Sequence, residues 1–173
     1  MTATADAFVA FGLTGDLGRR MTLPALYRLT AQGLLTCPVI GVGRRPVSQD
    51  ELVAHARDAI AGAEDAVDEK ALAELTSRMT YIGGDAEEGS LYDRLGAALG
   101  GATTPVYYVA TPPSTFGEVA EELARADLVR SGRLVVEKPF GTDLSSAREL
   151  NERLTAIFPE ERIYRIEIGR AHV

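Results

Sequence analysis

The chain has one cysteine, two histidines and no apolar run long enough to span a bilayer. Each scarcity removes a class of protein. A lone Cys37 leaves no disulfide framework and no metal-ligand spacing, so no metal is expected, and Cys37 reads as a packing residue. Positive charge is also short: 18 Lys and Arg against 25 Asp and Glu give a net charge of −7. That field repels nucleic acid and anionic membrane surfaces, so neither is expected as a partner. Any phosphate recognised here needs a local site. The opening MTATADA carries no basic stretch of the kind that starts an export signal, which points to the cytoplasm. What remains is ordinary. With 173 residues, 46% hydrophobic and 25% charged, the chain is bounded to one globular domain with a proper core.

Short apolar runs alternate with helical patterns. Strands are expected over 7–11, 38–42, 80–82, 105–110, 133–136 and 162–166. Helices are expected over 16–32, 49–61, 69–78, 91–99, 115–128 and 144–158. This alternation predicts an α/β, Rossmann-like doubly wound parallel sheet covered on both faces. In the last helix Leu144, Ala147, Leu150, Leu154 and Ile157 keep the 3.6-residue period, with Asp143 placed as its N-cap.

The first strand runs straight into Gly12, Gly15 and Gly18, and then into a helix. The first glycine permits a tight turn, the second lets backbone approach a pyrophosphate, and the third lets helix pack close to sheet. The helix N-terminus then offers free N–H groups to the anion. The second strand leads into Gly43, Arg44 and Arg45. An acid at that tip would hydrogen-bond a ribose 2′-hydroxyl and favour NAD. Arginine instead matches phosphate oxygens and stacks on adenine, which favours a 2′-phosphate and hence NADP. Arg44 is the first candidate and Arg45 the second, with the Thr14 hydroxyl as a further contact.

Two later strand ends complete the pattern. Tyr107-Tyr108-Val109-Ala110 leads into Thr111-Pro112-Pro113-Ser114, a stiff segment that suits either a nicotinamide ribose or a turn capped by Ser114. Val135-Val136-Glu137-Lys138-Pro139 places a charge pair after a buried strand. Lys138 suits a substrate phosphate or hydroxyl, or the pair is simply exposed, and the Lys138–Pro139 bond is a candidate hinge or cis peptide.

Taken in order, FGLTGDLGRR, GVGRR, YYVATPPSTF, VVEKPFGTDLSSARELN and IYRI closely resemble the amino-terminal, coenzyme-binding domain of the glucose-6-phosphate dehydrogenase family, over residues 8–166. That family oxidises glucose 6-phosphate at C1 to 6-phosphogluconolactone and passes a hydride to NADP, in some members to NAD. It opens the pentose phosphate pathway. The resemblance implies that Gly12, Thr14, Gly15, Asp16 and Leu17 line the coenzyme phosphates. It implies that Arg44 meets the 2′-phosphate, that Ala110, Thr111 and Pro112 border the nicotinamide half, and that Lys138 and Pro139 contact the sugar. A lysine common in the family near residues 19–21 has no counterpart, and Arg20 is its nearest replacement.

The resemblance stops at Glu167. The family continues RIDHYLGKE, where this chain reads Glu167-Ile168-Gly169-Arg170-Ala171-His172-Val173. Ile-Gly-Arg-Ala-His-Val is also one translation of a common sequencing-library adapter. The expectation is therefore a domain over 1–166, a non-native tail over 167–173, and a missing partner domain that carries the histidine base. Oxidising a hydroxyl needs such a base within hydrogen-bond reach, and only His55 and His172 occur here. No catalytic residue is assigned, and the chain alone is expected to be inactive, with glucose 6-phosphate and homo-oligomerisation belonging to the parent. Two other readings stand beside this one: a domain of the Gfo/Idh/MocA type of sugar oxidoreductase, or a stand-alone NADP-binding regulatory module.

Overall fold

The computed structural model describes residues 4–167. Six parallel strands form one sheet: β1 (Phe8–Phe11), β2 (Val39–Gly43), β3 (Met79–Gly83), β4 (Val106–Val109), β5 (Arg133–Glu137) and β6 (Ile163–Ile166). Their spatial order is β3-β2-β1-β4-β5-β6. The chain therefore starts in the middle, winds outward one way, and returns to wind the other way. This is the doubly wound order, and its direction changes between β1 and β4.

Six α-helices cover the sheet. They are α1 (Leu23–Ala31), α2 (Gln49–Ala61), α3 (Glu69–Ser77), α4 (Gly89–Leu99), α5 (Phe116–Arg125) and α6 (Leu144–Thr155). Alternate side chains of each strand point to opposite faces, so the core divides in two. Val9, Phe11, Ile40, Tyr107, Val109, Leu134 and Val136 pack under α4, α5 and α6. Ala10, Val39, Met79 and Tyr108 pack under α1, α2 and α3, with Leu13, Leu26, Leu52 and Leu72. Cys37 packs there too, and burial pushes its thiol pKa up. On that second face Tyr164 and Ile166 of β6 remain exposed, at 42% and 36%.

The helix expected over 16–32 contains a departure. It opens at Asp16, widens into a π-helical turn over Gly18–Thr22, and becomes α1 only at Leu23. The helix expected over 115–128 begins as a 3₁₀ turn, Pro113–Thr115, because proline fixes the backbone there. In α6 the Asp143 cap forms as expected, its carboxylate accepting from the Ser146 N–H at 2.8 Å. Leu144 does not join the core. It is the first residue of the helix and is 68% exposed, whereas Leu154 is buried. No helix among the described residues is long and apolar enough to cross a membrane.

Candidate functional site

Strand register decides where the four sequence anchors lie. Phe11 sits opposite Val42 on one side and Val109 on the other, and Val109 sits opposite Val136. The strands therefore end level. The segments after them, 12–17, 43–45, 110–112 and 137–139, gather along one carboxyl edge, the edge where open α/β sheets bind ligands.

The glycine turn is built by close backbone packing. Gly12 has φ +80°, and a Cβ there would lie 2.6 Å from the Ala110 carbonyl oxygen, across the point where the sheet changes direction. At Gly18 a Cβ would overlap the Leu13 carbonyl and lie 2.8 Å from the Gly12 oxygen. Gly15 differs: a Cβ would meet only the Gly12 oxygen, at 3.1 Å, and the residue is exposed. The turn is thus closed beneath and open above. The helix that follows opens at Asp16, with the Arg19 N–H donating to the Gly15 carbonyl at 2.9 Å, so the N–H groups ahead of Arg19 have no acceptor within the helix. That arrangement fits an anionic group such as a pyrophosphate. Asp16 is exposed and paired with Arg20 at 3.0 Å. Leu17 is half-buried, and Leu13, which sequence reading passed over, is the fully buried residue of the turn.

Beside this turn Arg44 and Arg45 are both exposed. Among the described residues neither guanidinium is held by an ion pair or hydrogen bond, and no carboxylate lies between Gly43 and Gln49. The Thr14 hydroxyl is 3.0 Å from the hydroxyl of Tyr81, a residue of β3 with no marked pattern in the sequence.

On the other side of the switch point, Ala110 donates its N–H to the Phe11 carbonyl at 3.0 Å. The Thr111 and Thr115 hydroxyls lie 2.6 Å apart, and Thr115 donates to the Pro112 carbonyl at 2.8 Å. The turn is therefore tied by Thr115. The Lys138–Pro139 peptide is cis. Lys138 is half-exposed, and its Nζ meets the Glu167 carboxylate at 2.8 Å. The Lys138 ammonium holds the Glu167 pKa below the usual carboxylate range.

Glu137 is buried, although its charge makes exposure the natural reading of the sequence. Its carboxylate accepts a hydrogen bond from the buried Tyr108 hydroxyl. Burial first, and the Glu137 carboxylate second, push the Tyr108 phenol pKa up. A buried acceptor is costly to leave unpaired. Tyr108→Phe removes the donor and keeps the ring. The expected cost is about 1–3 kcal/mol, read as a lower urea midpoint; an unchanged midpoint would show that the carboxylate does not depend on Tyr108.

His55 lies midway along α2, which packs against the π-helical turn. Its Nε2 is buried without a partner among the described residues, and burial, then the Arg19 charge, lowers its pKa. His172 and the rest of 168–173 lie outside the described residues. Among the described residues no group of three or more His, Cys, Asp or Glu could hold a metal ion.

Comparison with known proteins adds the deciding observation. Residues 9–169 match the family model described as glucose-6-phosphate dehydrogenase, NAD binding domain. The chain belongs to the glucose-6-phosphate dehydrogenase family. It is 44% identical over 162 residues to glucose-6-phosphate 1-dehydrogenase 1 of Mycobacterium bovis, covering 94% of this chain and 34% of that protein. It is 38% identical to glucose-6-phosphate 1-dehydrogenase of Rhizobium meliloti over 92% of this chain, again 34% of the relative. The crystal structure of the Mycobacterium avium glucose-6-phosphate 1-dehydrogenase superposes with a TM-score of 0.91 at 43% identity, covering 95% of this chain and 36% of that one. A glucose-6-phosphate dehydrogenase solved with its substrate glucose 6-phosphate gives 0.86 at 31% identity, over 96% of this chain and 37% of the other. The chain thus spans about a third of the length of the curated relatives it matches. It is the family's nicotinamide-dinucleotide-binding domain, and the Gfo/Idh/MocA reading is not favoured.

Proposed function

We propose that this domain binds NADP in preference to NAD and serves a glucose-6-phosphate dehydrogenase acting in the cytoplasm. In that enzyme glucose 6-phosphate is oxidised at C1 to 6-phosphogluconolactone, and the coenzyme accepts the hydride. Gly12, Thr14, Gly15, Asp16 and Leu17 line the coenzyme phosphates, with the Thr14 hydroxyl as a further contact to the 2′-phosphate. Arg44 holds the 2′-phosphate, with Arg45 beside it. Ala110, Thr111 and Pro112 border the nicotinamide ribose. Lys138 and Pro139 meet the sugar phosphate substrate from the adjoining strand end.

One observation carries the coenzyme preference: two guanidiniums without partners among the described residues stand at the tip of β2, where an NAD-selective site would hold an acid. A guanidinium gives a 2′-phosphate two parallel charge-assisted hydrogen bonds and gives a 2′-hydroxyl far less. Calorimetric titration of the chain with NADP and with NAD tests this, with Arg44→Ala alongside. Tighter NADP binding that the variant abolishes supports the reading. Equal affinity for both coenzymes, or tighter NAD binding, overturns it.

A further inference from the structure

The geometry points to Tyr81 as a positioning residue for coenzyme discrimination, acting through Thr14; this rests on the NADP reading above. Tyr81 belongs to the edge strand β3, yet its hydroxyl reaches the glycine turn that follows β1. To do so its ring must cross β2. The register explains how. Tyr81 stands opposite Gly41, and Gly83 opposite Gly43, so two positions of β2 carry no side chain. A Cβ on Gly41 would lie 2.8 Å from the Tyr81 ring, and one on Gly43 would strike the Tyr81 hydroxyl. The pair of glycines leaves a bare lane over the β2 backbone, and the phenol lies in it. The Leu13 side chain closes the lane beside Gly41.

The ring delivers its hydroxyl to one atom, Thr14 Oγ1, at 3.0 Å. Thr14 Oγ1 itself lies 3.3 Å from where a Gly43 Cβ would be, at the strand tip from which Arg44 departs. Two hydroxyls hold two hydrogens, and one is used between them. When Tyr81 donates to Thr14, the Thr14 hydrogen is left for a third group. A phosphate offers only acceptors, so it needs Thr14 turned as a donor. A ribose 2′-hydroxyl both donates and accepts, so it is indifferent to that orientation. Tyr81 therefore sets the Thr14 rotor for a 2′-phosphate and contributes to choosing NADP over NAD.

The test is a double-mutant cycle of Tyr81→Phe and Thr14→Ala, read as dissociation constants for NADP and for NAD by calorimetry. Phenylalanine keeps the ring in its lane and removes only the hydroxyl. Tyr81→Phe is expected to weaken NADP binding about three- to tenfold, the range of one neutral hydrogen bond, and to leave NAD unchanged. In the Thr14→Ala background the same change is expected to do nothing more. An equal loss for both coenzymes, no loss, or full additivity with Thr14→Ala overturns the inference. Arg44→Ala separates the two claims. If it abolishes the NADP preference while Tyr81→Phe preserves it, the site reading stands and the role of Tyr81 falls. If the unaltered chain shows no preference for NADP, both fall.

Discussion

Replacing Arg44 by alanine weakens NADP binding about 10- to 100-fold and leaves NAD binding within about twofold. The asymmetry follows from what the two coenzymes present. A charge-assisted hydrogen bond is worth about 1.5–3 kcal/mol, roughly twice a neutral bond, and solvent screening at this exposed position leaves the parallel pair worth about as much as one. The Arg44 guanidinium is exposed and engages no other described residue, so the variant breaks no internal contact and leaves no buried group unpaired. The loss is therefore confined to the ligand. Arg44→Lys restores only part of it, because an ammonium supplies charge without the planar fork. Calorimetric dissociation constants for both coenzymes, measured at one salt concentration, read the effect. A loss shared equally by NADP and NAD would place Arg44 away from the 2′ position.

Gly18→Val destabilises the fold by more than about 4 kcal/mol and lowers the melting temperature by about 10 °C or more. Most overpacking costs about 1–3 kcal/mol because neighbouring side chains shift. At Gly18 the neighbours are the Leu13 and Gly12 carbonyls, which are backbone, and Leu13 is itself fully buried. They yield only if the turn moves off the sheet. Gly15→Ala is the matched control. Its one close neighbour, the Gly12 carbonyl oxygen, is at 3.1 Å and the position is exposed, so the melt falls far less than in Gly18→Val while dinucleotide binding weakens. A Gly18→Val protein that melts like wild type would mean that the helix does not need this close approach.

Much of this arrangement was legible in the residues. The alternation of short apolar runs with 3.6-residue periods gave a parallel α/β sheet, because strands buried on both faces leave few polar positions. The three glycines carried the turn for different reasons: Gly12 by its φ of +80°, Gly18 by its close approach to the Leu13 carbonyl, and Gly15 by leaving the turn open above. Contacts between distant segments were less visible. The π-helical turn over Gly18–Thr22 adds no residue type that marks it, and Leu23, Leu26 and Tyr27 keep ordinary helical spacing beyond it. Exposure stayed one of two readings for Glu137, because burial of a carboxylate depends on a partner 29 residues away, Tyr108. Tyr81 lies within the strand expected over 80–82, where no sequence pattern marks it. Its reach to Thr14 depends on the missing side chains of Gly41 and Gly43 on a neighbouring strand, which only the register reveals.

Three of the segments along the carboxyl edge, 12–17, 43–45 and 110–112, together form one coenzyme site. Its most direct test is an amide-resolved NMR titration of the chain with NADP. Saturable shifts are expected at Gly12–Leu17, at Arg44 and Arg45, and at Ala110 and Thr111, with α3 and the outer face of α6 undisturbed. Saturable shifts centred elsewhere, such as the groove between α6 and β6 lined by Phe140, Leu150 and Arg165, would contradict it, as would a folded chain whose spectrum NADP leaves unchanged.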